Sequence, residues 1–304
     1  MFATGIECSY PMIRDRTYRV DALRTTDHYR RWREDLALTV ELGIPVLRYG
    51  VAYHEVNTAA GRYPWVTLYT PVNEIFICAK CSARFGWWNE QLASERAYGT
   101  TTRHLVQATL LGMREILAAQ PLAVFIQSES SEYTHAMCDC PPTRARADGE
   151  HQTRFLAPDL RYSREVRGDV YAWLLANGMP ADEYRTYMTH GLHERCVMGN
   201  DYYVTNERVL QHDGSVSHGQ DAVAWLWKQW QNILRMREEG VPVLGFTWYS
   251  LVDQVDWDTA LREANGTVNP LGLYDIDRKL RPVGALVIAL GVLSPDRPRE
   301  RSPR

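Results

Sequence analysis

Apolar and polar positions alternate in blocks along the start of the chain and predict a repeating order of strand and helix. Residues 2–10 form an apolar run that ends in polar residues, as a buried strand does. Residues 28–43 carry Trp32, Leu36 and Val40 at near-helical spacing, with Gly43 well suited to end the helix. Residues 44–53 are apolar again. Strand, helix and strand in this order predict a βαβ unit with parallel strands and a right-handed crossover.

The same alternation continues through the rest of the chain and favours an α/β barrel or a doubly wound sheet. No GxGxxG or GxxxxGK[ST] motif follows any strand, which argues against a nucleotide-binding sheet. Residues 136–168 are predicted to be a polar, Arg-rich insertion, and residues 291–304 a disordered tail rich in Pro and Arg. The further predicted strands are 66–70, 123–127, 196–205 and 243–250, and the further predicted helices are 92–119, 169–195 with a break at Pro180, and 221–239.

Residues 65–76 read WVTLYTPVNEIF and place two polar side chains directly after a predicted strand. Pro71 ends strand pairing because it has no N–H to donate. Asn73 and Glu74 follow at once, where a parallel strand delivers side chains to the mouth of an α/β barrel. A carboxylate beside an amide at that place suits a general acid for a glycosidic oxygen. The alternative is that Glu74 is a solvated loop residue.

The amino-acid composition bears on which classes of molecule the protein can bind. The 304 residues are 45% apolar and 23% charged, with a net charge of −3, which gives no electrostatic case for nucleic acid or an anionic membrane. The 10 Trp and 17 Tyr fit either a large aromatic core or a surface that stacks against sugars. A signal peptide and a transmembrane run are not expected, so we expect a cytoplasmic protein.

The six cysteines do not have the spacing of a metal site. Cys78 and Cys81 form one close pair and Cys138 and Cys140 another, but neither has a matching second pair at zinc-finger spacing. We therefore expect no metal and no cofactor. Reduced thiols are the default expectation in a cytosolic protein.

Motifs in chain order match one enzyme family. Residues 28–53 are similar to HYxRYKEDIxLMKELGxxxYRFSIxW, and residues 65–75 to the fourth-strand motif WITFNEP. Residues 200–203 match a sixth-strand NYY motif. The most specific matches are residues 249–257, YSLVDQVDW against WSLLDNFEW, and residues 271–277, LGLYDID against FGLVYVD. Over residues 2–290 the chain thus resembles the family 1 glycoside hydrolases, the β-glucosidase type of (β/α)8 barrel.

The resemblance implies roles for individual residues. Glu74 would be the acid/base of a retaining β-glycosidase and Asn73 its partner, opposite a second carboxylate about 5–5.5 Å away. Asp256 would take the place of a glycone-binding Glu, with an arm one methylene shorter, and Trp257 that of the adjacent stacking Trp. Tyr202, in the NYY-like motif, would also bind substrate. The alternatives are a capping role for Asp256 and a core role for Trp257.

Two regions of the family pattern are missing. Only a dozen residues lie between Tyr53 and Val66, where the third strand and its flanking helices should be. The seventh strand, which carries the nucleophile in a TENG motif, has no counterpart before the helix at residue 221. The resemblance therefore implies a single domain over residues 1–290 with a TIM-barrel-type fold that is incomplete or distorted, and open sheet edges that would allow a homo-oligomer.

Without a TENG motif the nucleophile has to be sought elsewhere. Glu207, in the sequence VTNE, is the first candidate, although it follows the sixth strand. Glu129 and Glu132 follow the fifth strand and are weaker candidates; all three could equally be rim carboxylates. The sequence thus leaves three interpretations: a glycoside hydrolase acting on β-glycosides, a carbohydrate-binding pseudoenzyme without a nucleophile, and a barrel-derived scaffold that binds a partner chain.

Overall fold

The computed structural model describes residues 2–52, 66–130, 132–137, 140–190, 192–210, 216–218 and 221–293. The strands are β1 (Phe2–Ile6), β2 (Met12–Ile13), β3 (Tyr18–Arg19), β4 (Val46–Tyr49), β5 (Leu68–Tyr69), β6 (Val124–Ser130), β7 (Tyr133–Ala136), β8 (Cys196–Asp201), β9 (Glu207–Leu210), β10 (Val216–His218), β11 (Phe246–Trp248), β12 (Gln254–Val255) and β13 (Val268–Asn269). The α-helices are α1 (Ala22–Thr25), α2 (His28–Glu41), α3 (Ile75–Ala79), α4 (Glu95–Ala119), α5 (Pro141–Thr153), α6 (Leu156–Arg161), α7 (Gly168–Ala176), α8 (Ala181–His190), α9 (Ala222–Glu238) and α10 (Pro282–Leu293).

The chain divides into two compact units. The first unit comprises Met1–Ala59 and Asp221–Arg304, and the second unit comprises Ala60–Gln220. Each unit contains one three-stranded parallel sheet and its own apolar core. The α/β class with parallel strands, expected from the alternating pattern, is confirmed. No closed barrel is formed among the strands that the structure describes.

The second unit carries the sheet β5-β6-β8. Both pairs are parallel, with Phe125 of β6 lying between Tyr69 of β5 and Cys196 of β8. Phe125 is fully buried and packs with Ile75 of α3 and Val106 of α4 in the core. Burying such a side chain contributes about 1.5–3 kcal/mol, so these contacts fix both helices on the sheet. β5 ends two residues before Pro71, as expected from the missing N–H.

The first unit carries the sheet β11-β1-β4, again with both pairs parallel. β1 is the central strand, and Thr4 pairs with Trp248 on one side and Leu47 on the other. The helix predicted at residues 28–43 is present as α2, but its stripe of Trp32, Leu36 and Val40 is exposed. The inner face of α2 includes His28 and Asp35, which are buried and paired with each other. The buried face of α2 thus includes a polar pair, which the pattern of apolar residues could not predict.

A small antiparallel addition distinguishes the second unit from a plain βα repeat. β9 pairs antiparallel with β10 and parallel with β7. Within the insertion predicted as polar at residues 136–168, the structure places α5 and α6, and the break expected at Pro180 separates α7 from α8. The tail predicted as disordered lies outside the described residues from residue 294 onwards.

From the sequence we also expected reduced cysteines and no transmembrane segment. Cys8, Cys78, Cys81 and Cys196 are free thiols, as expected, whereas Cys140 is disulfide-bonded, which the expectation of reduced thiols did not include. Among the helices that the structure describes, none has the length and apolar character needed to span a bilayer.

Candidate active site

Glu74 lies at the carboxyl end of the parallel sheet of the second unit. It follows β5 after a short loop and stands immediately before α3, with its backbone in the left-handed region at φ 44°. Its N–H donates to the carbonyl oxygen of Ser128 at 3.1 Å, near the end of β6. The Glu74 side chain is half-buried. This is the end of a parallel sheet at which α/β folds bind ligands.

Asn73 and Tyr202 lie at the same end of this sheet. Asn73 is exposed, and its Nδ2 atom lies 3.5 Å from Oε2 of Glu74. Tyr202 follows directly on β8 and is half-buried. Because β6 and β8 run in parallel with Ser130 opposite Asp201, the residues that follow Asp201 emerge at the carboxyl edge. The two predicted substrate-binding residues of the second unit are therefore at the sheet edge that carries Glu74.

Glu129, next to Ser128 on β6, is the most deeply buried carboxylate of this edge, with 1% of its surface exposed. Its Oε1 accepts the N–H of Phe76 at 2.7 Å, and its Oε2 lies 3.4 Å from Nη2 of Arg161. Burial raises the pKa of Glu129 to about 7, although Arg161 and the Phe76 N–H both favour the ionised form. Both oxygens of this carboxylate thus contact donor groups of the protein, and its role as nucleophile stays a prediction.

Glu132 belongs to a network of four charges. Its Oε2 bonds Nζ of Lys80 at 2.5 Å and Nη1 of Arg208 at 2.7 Å, and Glu150 lies within reach of the same two cations. Lys80 is only 2% exposed, so it requires these partners. Burial opposes ionisation of Glu150, but Lys80 and Arg208 hold the pKa of its carboxyl below the usual value. This network ties α5, β9 and the residue before β7 to the π-helical turn Lys80–Arg84.

Glu207 is the first residue of β9 and pairs with Tyr133 of β7. The described part of the structure includes its backbone but not its side chain. Its role as nucleophile therefore stays a prediction.

Asp256 lies in the first unit and is 2% exposed. Its Oδ2 accepts the N–H groups of Asn265 and Gly266, both at 3.1 Å, and its Oδ1 accepts the N–H of Thr267 at 2.9 Å. The carboxylate thus holds the returning loop before β13. Asp256 is also the residue before the helical turn Trp257–Thr259, but its side chain makes no cap hydrogen bond there. Glycone binding by Asp256 stays a prediction.

Trp257 follows with a half-buried ring. Its backbone N–H donates to Oδ1 of Asn269 at 2.6 Å. Its indole Nε1 is buried and has no hydrogen-bond partner. An indole N–H is a donor only, so this atom is suited to a hydroxyl acceptor.

Replacing Asp256 tests its structural role. In Asp256→Ala three N–H groups lose their acceptor, and we expect a loss of about 1–3 kcal/mol in the free energy of unfolding. Urea denaturation followed by circular dichroism measures it. Asp258→Ala, at the exposed neighbouring carboxylate, is the matched control and should change little. Equal stability of Asp256→Ala and the control would contradict the loop-holding role.

Glu7 lies at the carboxyl end of the other parallel sheet. It follows β1 and is buried, and its Oε2 accepts the hydroxyl of Tyr249 at 2.5 Å while its Oε1 accepts the N–H of Ser9 at 2.7 Å. Tyr249 follows β11, the neighbouring strand. Among the described residues no group of three or more His, Cys, Asp and Glu could hold a metal ion.

The chain is similar in fold to solved β-glucosidases. A family 1 β-glucosidase from Thermotoga maritima matches with a TM-score of 0.66 and 12% identity, over 88% of this chain and 87% of that one. The Thermotoga maritima β-glucosidase in complex with glucoimidazole has a TM-score of 0.66 at 13% identity, and the complex with cyclophellitol 0.65 at 14%, each with the same coverage. No protein family model and no curated protein matches the sequence.

A similarity at 12–14% identity establishes the fold alone. Any chemical activity has to be argued from the residues of the site. The site residues predicted from the sequence fall into two groups, one per unit. Sequence reasoning identified Glu74 and Asn73 through the strand that ends at Pro71. It gave Glu129, which lies within β6, only as a weaker candidate for the nucleophile, and it did not consider Glu7, which follows β1 in the same way that Glu74 follows β5.

Proposed function

We propose that this protein acts on β-glycosides as a glycoside hydrolase of the family 1 type, with Glu74 as general acid and then general base. The observation that carries the proposal is the position of Glu74 at the carboxyl end of β5, beside Asn73 and with a half-exposed carboxyl. The fold of the β-glucosidases supports it. A carboxylic acid there can protonate the glycosidic oxygen of a bound saccharide.

The other residues of the proposal support binding. Asn73 and Tyr202 offer an amide and a phenol at the edge that carries Glu74, and these groups can hydrogen-bond sugar hydroxyls. In the first unit the indole of Trp257 offers an apolar face and a buried Nε1 donor without a partner. Asp256 remains proposed as a weaker glycone contact, and Glu207 as the nucleophile. We further propose that the protein is cytoplasmic, which the four free thiols favour and the disulfide-bonded Cys140 opposes.

A second candidate is a carbohydrate-binding protein without hydrolysis. The observation that favours it is the enclosure of Glu129, the carboxylate on the strand next to Glu74, by Phe76 and Arg161. A retaining mechanism needs a second carboxylate about 5–5.5 Å from the acid and an inverting one about 6.5–9.5 Å away. An enclosed Glu129 serves neither mechanism. Binding of a sugar by Asn73 and Tyr202 would not require it.

One experiment separates these candidates. The purified full chain is incubated with 4-nitrophenyl and 2,4-dinitrophenyl β-glucoside from pH 4 to 8, and glucose binding is measured by calorimetry in parallel. Release of nitrophenol supports the hydrolase. Heat of binding without release supports the binding protein, and absence of both contradicts both candidates. A parallel α-glucoside reaction is the control for specificity of the anomer.

A further inference from the structure

Two neighbouring residues of β6 hold the backbone on both sides of the Glu74 carboxyl. The carbonyl oxygen of Ser128 accepts the N–H of Glu74 at 3.1 Å. The carboxylate of Glu129 accepts the N–H of Phe76 at 2.7 Å. The segment from Glu74 to Phe76 is thus fixed at each end by a bond to a sheet strand. Strands are more rigid supports for a functional residue than loops are.

The second of these bonds replaces a cap that Glu74 would otherwise supply. Glu74 is the N-cap residue of α3, and an N-cap side chain commonly accepts the N–H of the second or third helical residue. The Glu74 side chain makes no such bond. Phe76, the second residue of α3, donates to Glu129 instead. The helix is capped from β6, so its start does not require the Glu74 carboxyl.

Glu129 is itself held in place by a buried network. Arg161 of α6 is 1% exposed; its Nη2 lies 3.4 Å from Glu129, and its Nη1 donates to Gln127 at 2.5 Å. Gln127 and Glu129 are alternate residues of β6 and so point to the same face of the strand. One guanidinium therefore fixes two side chains of β6. The left-handed backbone of Glu74 is uncommon for a residue with a Cβ and persists only where its surroundings enforce it.

We propose that Glu129 is a positioning residue for Glu74: it holds the start of α3 through the Phe76 N–H and thereby fixes the backbone that carries the Glu74 carboxyl. This inference rests on the proposed function of Glu74. Glu129 does not touch the substrate, because its carboxylate is enclosed between α3, β6 and Arg161.

The kinetic test compares Glu129→Leu with Glu129→Gln on 4-nitrophenyl β-glucoside. Leu removes the acceptor of the Phe76 N–H, so the start of α3 and the Glu74 carboxyl can shift. A displacement of the acid by about 1 Å should lower kcat by roughly 100-fold. KM should stay nearly unchanged, because the contacts that bind the sugar remain. Gln keeps an acceptor oxygen and should retain most of kcat. On 2,4-dinitrophenyl β-glucoside, whose leaving group needs no proton, all three proteins should have a similar kcat/KM, because kcat/KM reports the step that releases the phenolate.

A matched control separates positioning from loss of stability. Leu174→Ala removes a fully buried side chain of α7 from the same core and leaves both groups of the Phe76–Glu129 hydrogen bond in place. It should lower stability and leave the ratio of the two substrates unchanged. If Glu129→Leu does not fold, Glu129→Leu with Arg161→Met removes the cap together with the unpaired charge and takes its place. Wild-type kcat in the folded variant, or equal losses in the Leu and Gln variants, would overturn the proposal.

A second measurement does not depend on turnover. The chain has six Phe, so a protein labelled with ¹⁵N-phenylalanine gives few amide signals, and Phe76→Tyr assigns the one of interest. We expect the Phe76 signal to lie downfield, to move upfield in Glu129→Leu and to stay in Glu129→Gln. If the signal does not respond, the cap itself is refuted. If it responds but wild type hydrolyses no glycoside, the proposed function fails, and with it the role of Glu129 in catalysis, while the cap stands.

Discussion

Glu74→Gln should lower kcat on 4-nitrophenyl β-glucoside by about 10²–10⁴-fold, the usual contribution of a general acid. Gln has nearly the shape of Glu but carries no proton for the glycosidic oxygen. The loss in kcat/KM should be far smaller on 2,4-dinitrophenyl β-glucoside, since that phenolate leaves without protonation and Glu74 is needed as base only in the later hydrolysis step. Glucose binding, measured by calorimetry, should persist. The dependence of the loss on the leaving group is the feature that distinguishes an acid catalyst from a residue that only binds.

The control for this prediction is Glu115→Gln. Glu115 is an exposed carboxylate near the end of α4, the helix that leads to the start of β6, so it lies at the opposite end of the strands from Glu74. Its variant should hydrolyse both substrates at the wild-type rate. Equal losses on the two substrates in Glu74→Gln, or no loss on either, would show that Glu74 is not the acid.

Elements that depend on local pattern could be predicted from the sequence. The α9 helix, expected at residues 221–239, is observed at Ala222–Glu238, and its Asp221 caps Ala224 as an N-cap Asp does. The end of β5 followed from the chemistry of Pro71 alone. Glu74 could be placed at the edge of a sheet for the same reason, because a side chain just after a parallel strand has few other places to lie.

Contacts between distant residues could not be predicted in this way. Arg161 and Glu129 are 32 positions apart, and only the packing of α6 on β6 brings them together. Asp256 was given its sugar-binding role by its motif, while its bonds to the loop at residues 265–267 are known only from the fold. The antiparallel pair β9 and β10 was missed because four- and three-residue strands carry too little pattern to recognise.

The strands of the two parallel sheets lie in segments that resemble the family 1 pattern. Two regions of that pattern have no counterpart in the sequence. In the order of the sheets, β11, β1 and β4 lie in segments that resemble the eighth, first and second strands of the pattern, and β5, β6 and β8 lie in segments that resemble the fourth, fifth and sixth. The positions of the missing third and seventh strands fall at residues 53–65 and 211–220, most of which lie outside the described residues. Closure of a barrel and the open-edge homo-oligomer accordingly remain proposals.

Asp35→Asn should lower the free energy of unfolding by about 3–5 kcal/mol, the usual cost of removing one partner from a buried ion pair. Asp35 is 1% exposed and accepts Nε and Nη2 of Arg278 at 2.8 and 3.0 Å, with Nδ1 of His28 at 2.8 Å from its Oδ2. Arg278 also donates to the carbonyl oxygen of Thr26. The pair therefore connects α2 to a loop 243 residues away, and without it Arg278 would be a buried charge lacking its carboxylate.

The same pair gives this prediction a pH dependence. Burial alone would raise the pKa of Asp35, but hydrogen bonds from His28 and Arg278 outweigh it and hold the pKa below the ordinary value of 3.8. A carboxyl with a lowered pKa stabilises the fold above its unfolded pKa, and that contribution is lost as the pH falls through the folded pKa. The difference in stability between wild type and Asp35→Asn should therefore be full at pH 7 and shrink below about pH 3.8.

Urea denaturation at pH 7 and at pH 3 measures both parts of the prediction. Arg30→Gln is the control, because Arg30 and Asp27 form an exposed pair on the same helix at 3.9 Å whose removal should cost less than about 1 kcal/mol. Asp35→Leu combined with Arg278→Met removes both charges and should recover part of the loss. A double variant less stable than Asp35→Asn would show that the pair contributes through packing of its side chains rather than through the unpaired charge.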